Sequence, residues 1–179
     1  MRVSTVVLLL CGSAGIARAD EAPKTIALAD LGLHVVGAGL QRTVAPHVAI
    51  QGVVALYVPW TQNKNVFKLR DDGTDGDVRG AVVRLRAFGY LSEAPTGPWI
   101  SPFVQGGIGA ATRSGKAETG PVWAAGATIG YAWLIGRNVH LAVGAGAQYH
   151  VARMSGGRAL PSFATVFPQI DLNLGYAFR

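Results

Sequence analysis

One stretch, VHLAVGAGAQYHVAR from Val139 to Arg153, limits what this chain can fold into more than any other. Read at every second position, it gives Val139, Leu141, Val143, Ala145, Ala147, Tyr149 and Val151 on one side. His140, Ala142, Gly144, Gly146, Gln148, His150 and Ala152 fall on the other. Successive side chains of a strand point to opposite faces, so a period of two marks a β-strand. One face is apolar and ends in an aromatic; the other is small or polar. Such a strand suits a soluble sandwich, or a wall with lipid outside and polar groups inside. The other segments and the ends of the chain decide between them.

Residues 1–19 read as a secretory signal peptide. Arg2 gives a positive start, Val6 to Leu10 an apolar centre, and Ala17-Arg18-Ala19 a small-x-small cleavage site. The apolar run falls short of the roughly 20 residues a membrane helix needs. Cys11, the sole cysteine, lies in this segment, and the residue before it is Leu10 where lipid attachment favours a small one. Cleavage after Ala19 leaves one domain, residues 20–179, with no cysteine. That excludes a disulfide, thiol catalysis and cysteine metal ligation.

The composition narrows the choice. Charged residues are 15% of the chain, half of it is hydrophobic, and 24 residues are glycine; a soluble domain has about 25% charged residues. Yet no helix-length apolar run follows the signal. An exported chain this apolar can span a bilayer as a closed β-barrel, in which closure satisfies every backbone group. The net charge of +6 falls to +4 without Arg2 and Arg18, with 14 basic residues against 10 acidic. No basic cluster accompanies it, so a nucleic-acid partner is not expected.

Glycine, proline and short polar clusters divide the chain into alternating segments. TIALADLGLHVV (Thr25 to Val36) sets Ala27, Ala29, Leu31, Leu33 and Val35 against Asp30, Gly32 and His34, and GAGLQRTV (Gly37 to Val44) follows a tight turn near Val36-Gly37. HVAIQGVVALYVPW places Val48, Ile50, Val54 and Leu56 outward, with His47, Ala49, Gln51 and Tyr57 inward. RGAVVRLRAFGYL sets Ala81, Val83, Leu85 and Ala87 against Arg84, Arg86 and Phe88; WISPFVQGGIGAAT sets Ile100, Val104 and Ile108 against Ser101 and Gln105. In PVWAAGATIGYAWLIG, Trp123, Ile129, Tyr131 and Trp133 share a face with aromatics at both ends, as Trp and Tyr do at the two membrane interfaces. In FPQIDLNLGYAFR, Ile170, Leu172, Leu174, Tyr176 and Phe178 alternate with Gln169, Asp171 and Asn173. Burying Asp171 and Asn173 on a dry sandwich face is costly, whereas a polar lumen accepts both.

With the first two segments separate, the count is eight, an even number as expected for a bacterial barrel. The fold expected is therefore all-β, a transmembrane antiparallel up-and-down β-barrel. Ala45-Pro46, Ser92 to Pro98 and Gly136 to Asn138 are the short turns at one end. Trp60 to Asp77, Arg113 to Gly120 and Ser155 to Thr165 are the longer loops at the other.

The signal peptide, the glycine-rich alternating strands GYAWLIG and LAVGAGAQY, and the last strand LNLGYAF together resemble the small bacterial outer-membrane β-barrel proteins. The resemblance covers the whole mature chain and is one of architecture. It implies the outer membrane of a Gram-negative bacterium, a monomer, and contact with outer-membrane lipid and lipopolysaccharide. It also implies recognition by the barrel-assembly machinery through a terminal aromatic with alternating apolar residues, which Leu172, Leu174, Tyr176 and Phe178 match; Arg179 departs from the pattern by following the aromatic. Function does not come with the fold.

An eight-stranded barrel is just wide enough to be filled by its own side chains. The expected lumen network is Asp30, His34, Gln51, Tyr57, Arg84, Arg86, Gln105, Gln148, His150, Asp171 and Asn173, with Thr128 beside them. Charge-assisted hydrogen bonds among these would plug the barrel; the alternative is a narrow porin-like path. No HxH or HExxH spacing marks a metal site among His34, His47, His140 and His150, and no cofactor is expected. His140 and His150 share a face but lie about 33 Å apart along a strand. Some barrels of this family modify lipid A with His and Ser at the outer rim, and His150 with Ser155 could supply base and nucleophile. No acidic group stands near to orient that histidine, so no catalytic residue is assigned. The loop from Thr61 to Arg79 carries Lys64, Lys68, Arg70, Asp71, Asp72, Asp75 and Asp77. Its DDGTDGD run lacks the glutamate that closes an EF-hand; a solvated loop is the reading kept, and it is the place for any surface partner. A secreted soluble barrel with the apolar faces inward would instead leave Arg84, Arg86, Asp171 and Asn173 in water.

Overall fold

The computed structural model describes residues 23–57, 79–113, 116–153 and 163–178. These residues form eight strands: β1 (Thr25–Gly32), β2 (Val35–Ala45), β3 (Val48–Tyr57), β4 (Arg79–Tyr90), β5 (Gly97–Arg113), β6 (Lys116–Ile135), β7 (Val139–Ala152) and β8 (Phe163–Phe178). Each pairs antiparallel with the next. β8 returns to β1 in a ladder from Thr25↔Phe178 to Gly32↔Asp171, so the sheet closes into a barrel. The expected signal peptide and the charged residues Lys64, Lys68, Arg70, Asp71, Asp72, Asp75 and Asp77 lie outside the described residues.

Both Thr25 and Phe178 stand at one end of the barrel, with the short connections after Ala45, Tyr90 and Ile135. The opposite end carries the turn at Leu33-His34 and the connections at 58–78, 114–115 and 153–162. We call these the terminal end and the loop end.

Several boundaries differ from the sequence expectation, and β8 begins at Phe163, inside the connection expected from Ser155 to Thr165, because β7 offers it a partner out to Ala152. The first strand ends at Gly32 rather than Val36, and the chain reverses at Leu33-His34, with Leu31 paired to Val36. The reversal turns Val35 inward, fully buried, although the alternation from Ala27 predicts it outward. Gly37, expected at the tight turn, sits inside β2 as Gly39 does, and the β3 backbone leaves neither of them space for a side chain. A Cβ at Gly37 would fall 2.5 Å from the Val54 carbonyl oxygen, and one at Gly39 2.0 Å from that of Gly52. Of the expected outer connection Arg113 to Gly120, Arg113 and residues 116–120 are strand instead: β5 and β6 stay paired out to Arg113↔Lys116. His47, expected inward, is exposed in the turn before β3, its ring Nδ1 2.9 Å from the Ser92 carbonyl oxygen.

Strand alternation turns one face of the sheet outward as an apolar wall. Val54, Ile108 and Ile129 are 68%, 67% and 65% exposed. On β6 and β7 this wall is bracketed by aromatics: Trp123 with Tyr149, ring centroids 5.9 Å apart, toward the loop end, and Tyr131 with Trp133, 4.8 Å apart, toward the terminal end. Tyr176 and Phe178 on β8 add a second pair there. Ten residues separate Trp123 from Trp133, about 33 Å of strand, which a tilt of about 40° reduces to about 25 Å. That is the height of the apolar band a barrel presents to hydrocarbon. Val151 departs from its face: it is buried, paired across from Trp123.

Candidate functional site: the barrel lumen

The inward face is assembled from the same strands one residue out of step. On β4, Arg84 and Arg86 are two apart and point into the lumen, and both are buried. β8 is four strands away around an eight-stranded ring, so it forms the opposite wall. From it Asp171 reaches back to both arginines: its Oδ2 accepts from Arg86 Nη2 at 2.7 Å and its Oδ1 lies 3.6 Å from Arg84 Nη1. Asp30 on β1 accepts from the same Arg84 Nη1 at 3.0 Å. Two guanidiniums thus face two carboxylates, and all four side chains are fully buried or nearly so.

Neutral groups add further hydrogen bonds. Arg84 Nε donates to Gln105 Oε1 at 2.9 Å, a cross-strand neighbour in the β4–β5 register. Arg86 Nε donates to Ser101 Oγ at 3.1 Å and its Nη2 to Thr128 Oγ1 at 2.6 Å. Gln169 donates to Asp171 Oδ1 at 2.6 Å, and Gln51 to Asn173 Oδ1 at 3.0 Å. Rings cover the cations from the sides: Phe103 lies 5.1 Å from Arg84 Cζ and 5.6 Å from Arg86 Cζ, Phe88 4.8 Å and Trp99 5.8 Å from the latter. Isolated buried charges are prohibitively costly, and only such dense pairing offsets their desolvation.

Above and below this ionic centre the lumen is packed with rings. Toward the loop end, Tyr57, His150, His34 and Phe167 stack edge to face or tilted at centroid distances of 5.2 to 6.0 Å. The Tyr57 hydroxyl is 3.5 Å from His150 Nδ1. Toward the terminal end, Trp99 packs against Phe88 at 5.2 Å and lies flush on the glycine pair Gly130↔Gly144. A Cβ at Gly144 would meet the Trp99 ring at 2.3 Å, so only glycine admits the indole. Gln41 donates to the Tyr90 hydroxyl at 3.2 Å, and His140 Nε2 is 3.3 Å from the Pro95 carbonyl oxygen.

All eleven residues expected in the lumen, Asp30, His34, Gln51, Tyr57, Arg84, Arg86, Gln105, Gln148, His150, Asp171 and Asn173, lie inside and are at most 4% exposed. The structure brings Asp30, Arg84, Arg86 and Asp171 into one cluster and places His34, Tyr57 and His150 in another. Gln41, Ser101, Gln169, His140, Phe103 and Trp99 also face inward. The parity of Gln105 marks Ser101, Phe103 and Trp99, and the parity of Asp171 marks Gln169. Gln41 escapes notice only because the first hairpin turns earlier than expected. Leu172, Leu174, Tyr176 and Phe178 face outward on β8. Among the described residues no group of three or more His, Cys, Asp or Glu side chains is gathered as for a metal. Ser155 lies outside the described residues.

A closed eight-stranded barrel with an apolar wall and a polar lumen is the fold of the small outer-membrane β-barrels, and this chain has that fold. Among solved structures, it is similar to Neisserial surface protein A, with a TM-score of 0.55 and 10% identity over 87% of this chain and 95% of that one. The N-terminal β-barrel domain of Pseudomonas aeruginosa OprF gives 0.44 and 14% over 87% and 96%. Ail, the attachment invasion locus protein of Yersinia pestis, solved with the heparin analogue sucrose octasulfate, gives 0.38 and 11% over 87% and 97%. No family model matches the chain, and no curated protein does.

Proposed function

We propose that the chain is a non-enzymatic outer-membrane β-barrel protein with a lumen closed by its own side chains, serving as a structural element or binding surface partners through its outer loops. The observation that carries this reading is the ion network joining opposite walls: Arg86 on β4 to Asp171 on β8 at 2.7 Å, with Arg84 bridging to Asp30. Four buried charges that balance one another leave no uncompensated field to draw a solute, and rings lie above and below them. The apolar wall and aromatic girdles support residence in a bilayer. In this reading the termini face the periplasm after removal of residues 1–19, Leu172, Leu174, Tyr176 and Phe178 present the assembly signal, and lipopolysaccharide surrounds the loop end. The outer loop bearing Lys64, Lys68, Arg70, Asp71, Asp72, Asp75 and Asp77 is the place for a surface partner.

Planar-bilayer recording tests the closed lumen. The intact protein should give no steady resolved current, and the double variant Arg84→Ala, Arg86→Ala, which removes the central pair, should give one. A steady current through the unaltered protein would replace the plug with the small porin-like channel.

A further inference from the structure

We propose that the outer wall from β2 to β5 carries a seat for one acyl chain of a glycerophospholipid, with Arg42 holding the phosphate. The inference rests on the membrane placement proposed above. A groove of about 650 Å³ is sunk into this wall, within the range of about 300–1,000 Å³ typical of small-molecule sites. Its shape follows from the register. Leu40, Gly52, Leu85 and Val104 form one row across four strands. Arg42, Ile50 and Ala87 form the next row toward the terminal end. Between bulky neighbours, Gly52 and Ala87 leave a trough: a Cβ at Gly52 would find nothing nearer than Leu85 Cδ2 at 3.7 Å.

Pro102 deepens the fault. It lacks an N–H and faces outward, and the β4–β5 ladder skips from Arg86↔Phe103 to Gly89↔Ile100 at its level. The contrast with the far wall is one of composition. The large outward hydrophobic side chains of β2 to β5 are all aliphatic, whereas β6 to β8 also present Trp123, Tyr131, Trp133, Tyr149 and Tyr176.

Charge selects the occupant. Arg42 is exposed in the same outward row as Ile50, and among the described residues no acidic side chain pairs with it. A cation set into an apolar wall is stabilised by an anion at the headgroup level. Arg42 pairs with Thr25, so it lies near the terminal end, which in the proposed orientation meets the phospholipid leaflet rather than lipopolysaccharide. A phosphate on Arg42 directs an acyl chain along the trough past Gly52.

Native mass spectrometry of the detergent-extracted barrel, with phosphatidylglycerol or an uncharged diacylglycerol added, reads this directly. Retention of one phosphatidylglycerol and little diacylglycerol is expected. Arg42→Gln should cut retention about fivefold, the effect of one basic residue at a membrane surface. Gly52→Phe should fill the trough and abolish retention, while Ala147→Phe on the far wall should change nothing. Unboiled gel mobility of every variant shows whether the barrel has formed. Equal retention by all variants with barrels formed, or a preference for lipid A over phosphatidylglycerol, would overturn the seat and leave the membrane reading standing. A soluble protein with no heat-dependent mobility would overturn both.

Discussion

The inner and outer faces of β8 carry opposite chemistries one residue apart. Gln169, Asp171 and Asn173 are buried and hydrogen-bonded, while the alternating Ile170, Leu172 and Leu174 are exposed. In a soluble protein the two sets would change places. The difference teaches that the interior of this barrel is held by polar pairing and ring packing, and its exterior by the solvent it meets. A substitution should therefore be judged first by its parity and only then by its residue type.

The largest effect should come from the inner face. Arg84→Met leaves Asp30 and Asp171 short of a partner inside the barrel, and breaking a buried pair from one side costs about 3–5 kcal/mol. Urea unfolding of the vesicle-inserted protein measures it, and adding Asp30→Asn should recover part of the loss. The converse change on the outer face comes next. Val54→Arg places a charge on a wall position 68% exposed; at mid-bilayer this costs about 2–4 kcal/mol, and the same assay should show no loss in Val54→Leu. If Val54→Arg proved neutral while Val54→Leu destabilised, the two faces would be interchanged.

Packing without charge is the third test. Gly144→Ala forces a Cβ into the Trp99 ring, and overpacking of this kind costs about 1–3 kcal/mol. Near-ultraviolet circular dichroism, which reports the fixed indole, should weaken with it. Smallest of all is Arg42→Gln, where an exposed outer-wall change should move stability by less than about 0.5 kcal/mol even as it lowers lipid retention.

Parity was legible in the sequence where strands run long and uninterrupted. From Val48 to Tyr57 and along β8 the alternation alone assigns each side chain to its face. It fails where glycine mimics a boundary. Gly37 suggests a turn, yet with Gly39 it serves close approach of the β3 backbone. Gly120 suggests the end of a loop, yet it sits inside β6 opposite Gly109. Within the lumen, parity gives the direction of Arg86 and Asp171 but not their meeting, which depends on the width of the closed ring. The rings around the arginines were legible only in part, because Phe103 and Trp99 look like ordinary apolar residues of a strand.

The central claim is that the apolar face meets lipid and the polar face does not. Residues 20–179 hold no cysteine, so single cysteines at Val54, Ile129, Ile170 and Leu174 can each carry a nitroxide in protein reconstituted into bilayers. Electron paramagnetic resonance then compares collision with oxygen, which concentrates in hydrocarbon, against collision with a water-soluble nickel chelate. The account predicts high oxygen and low nickel accessibility at all four positions. High nickel accessibility there, with a protein that stays in the aqueous phase, would contradict it and turn the apolar wall into the lining of a soluble fold.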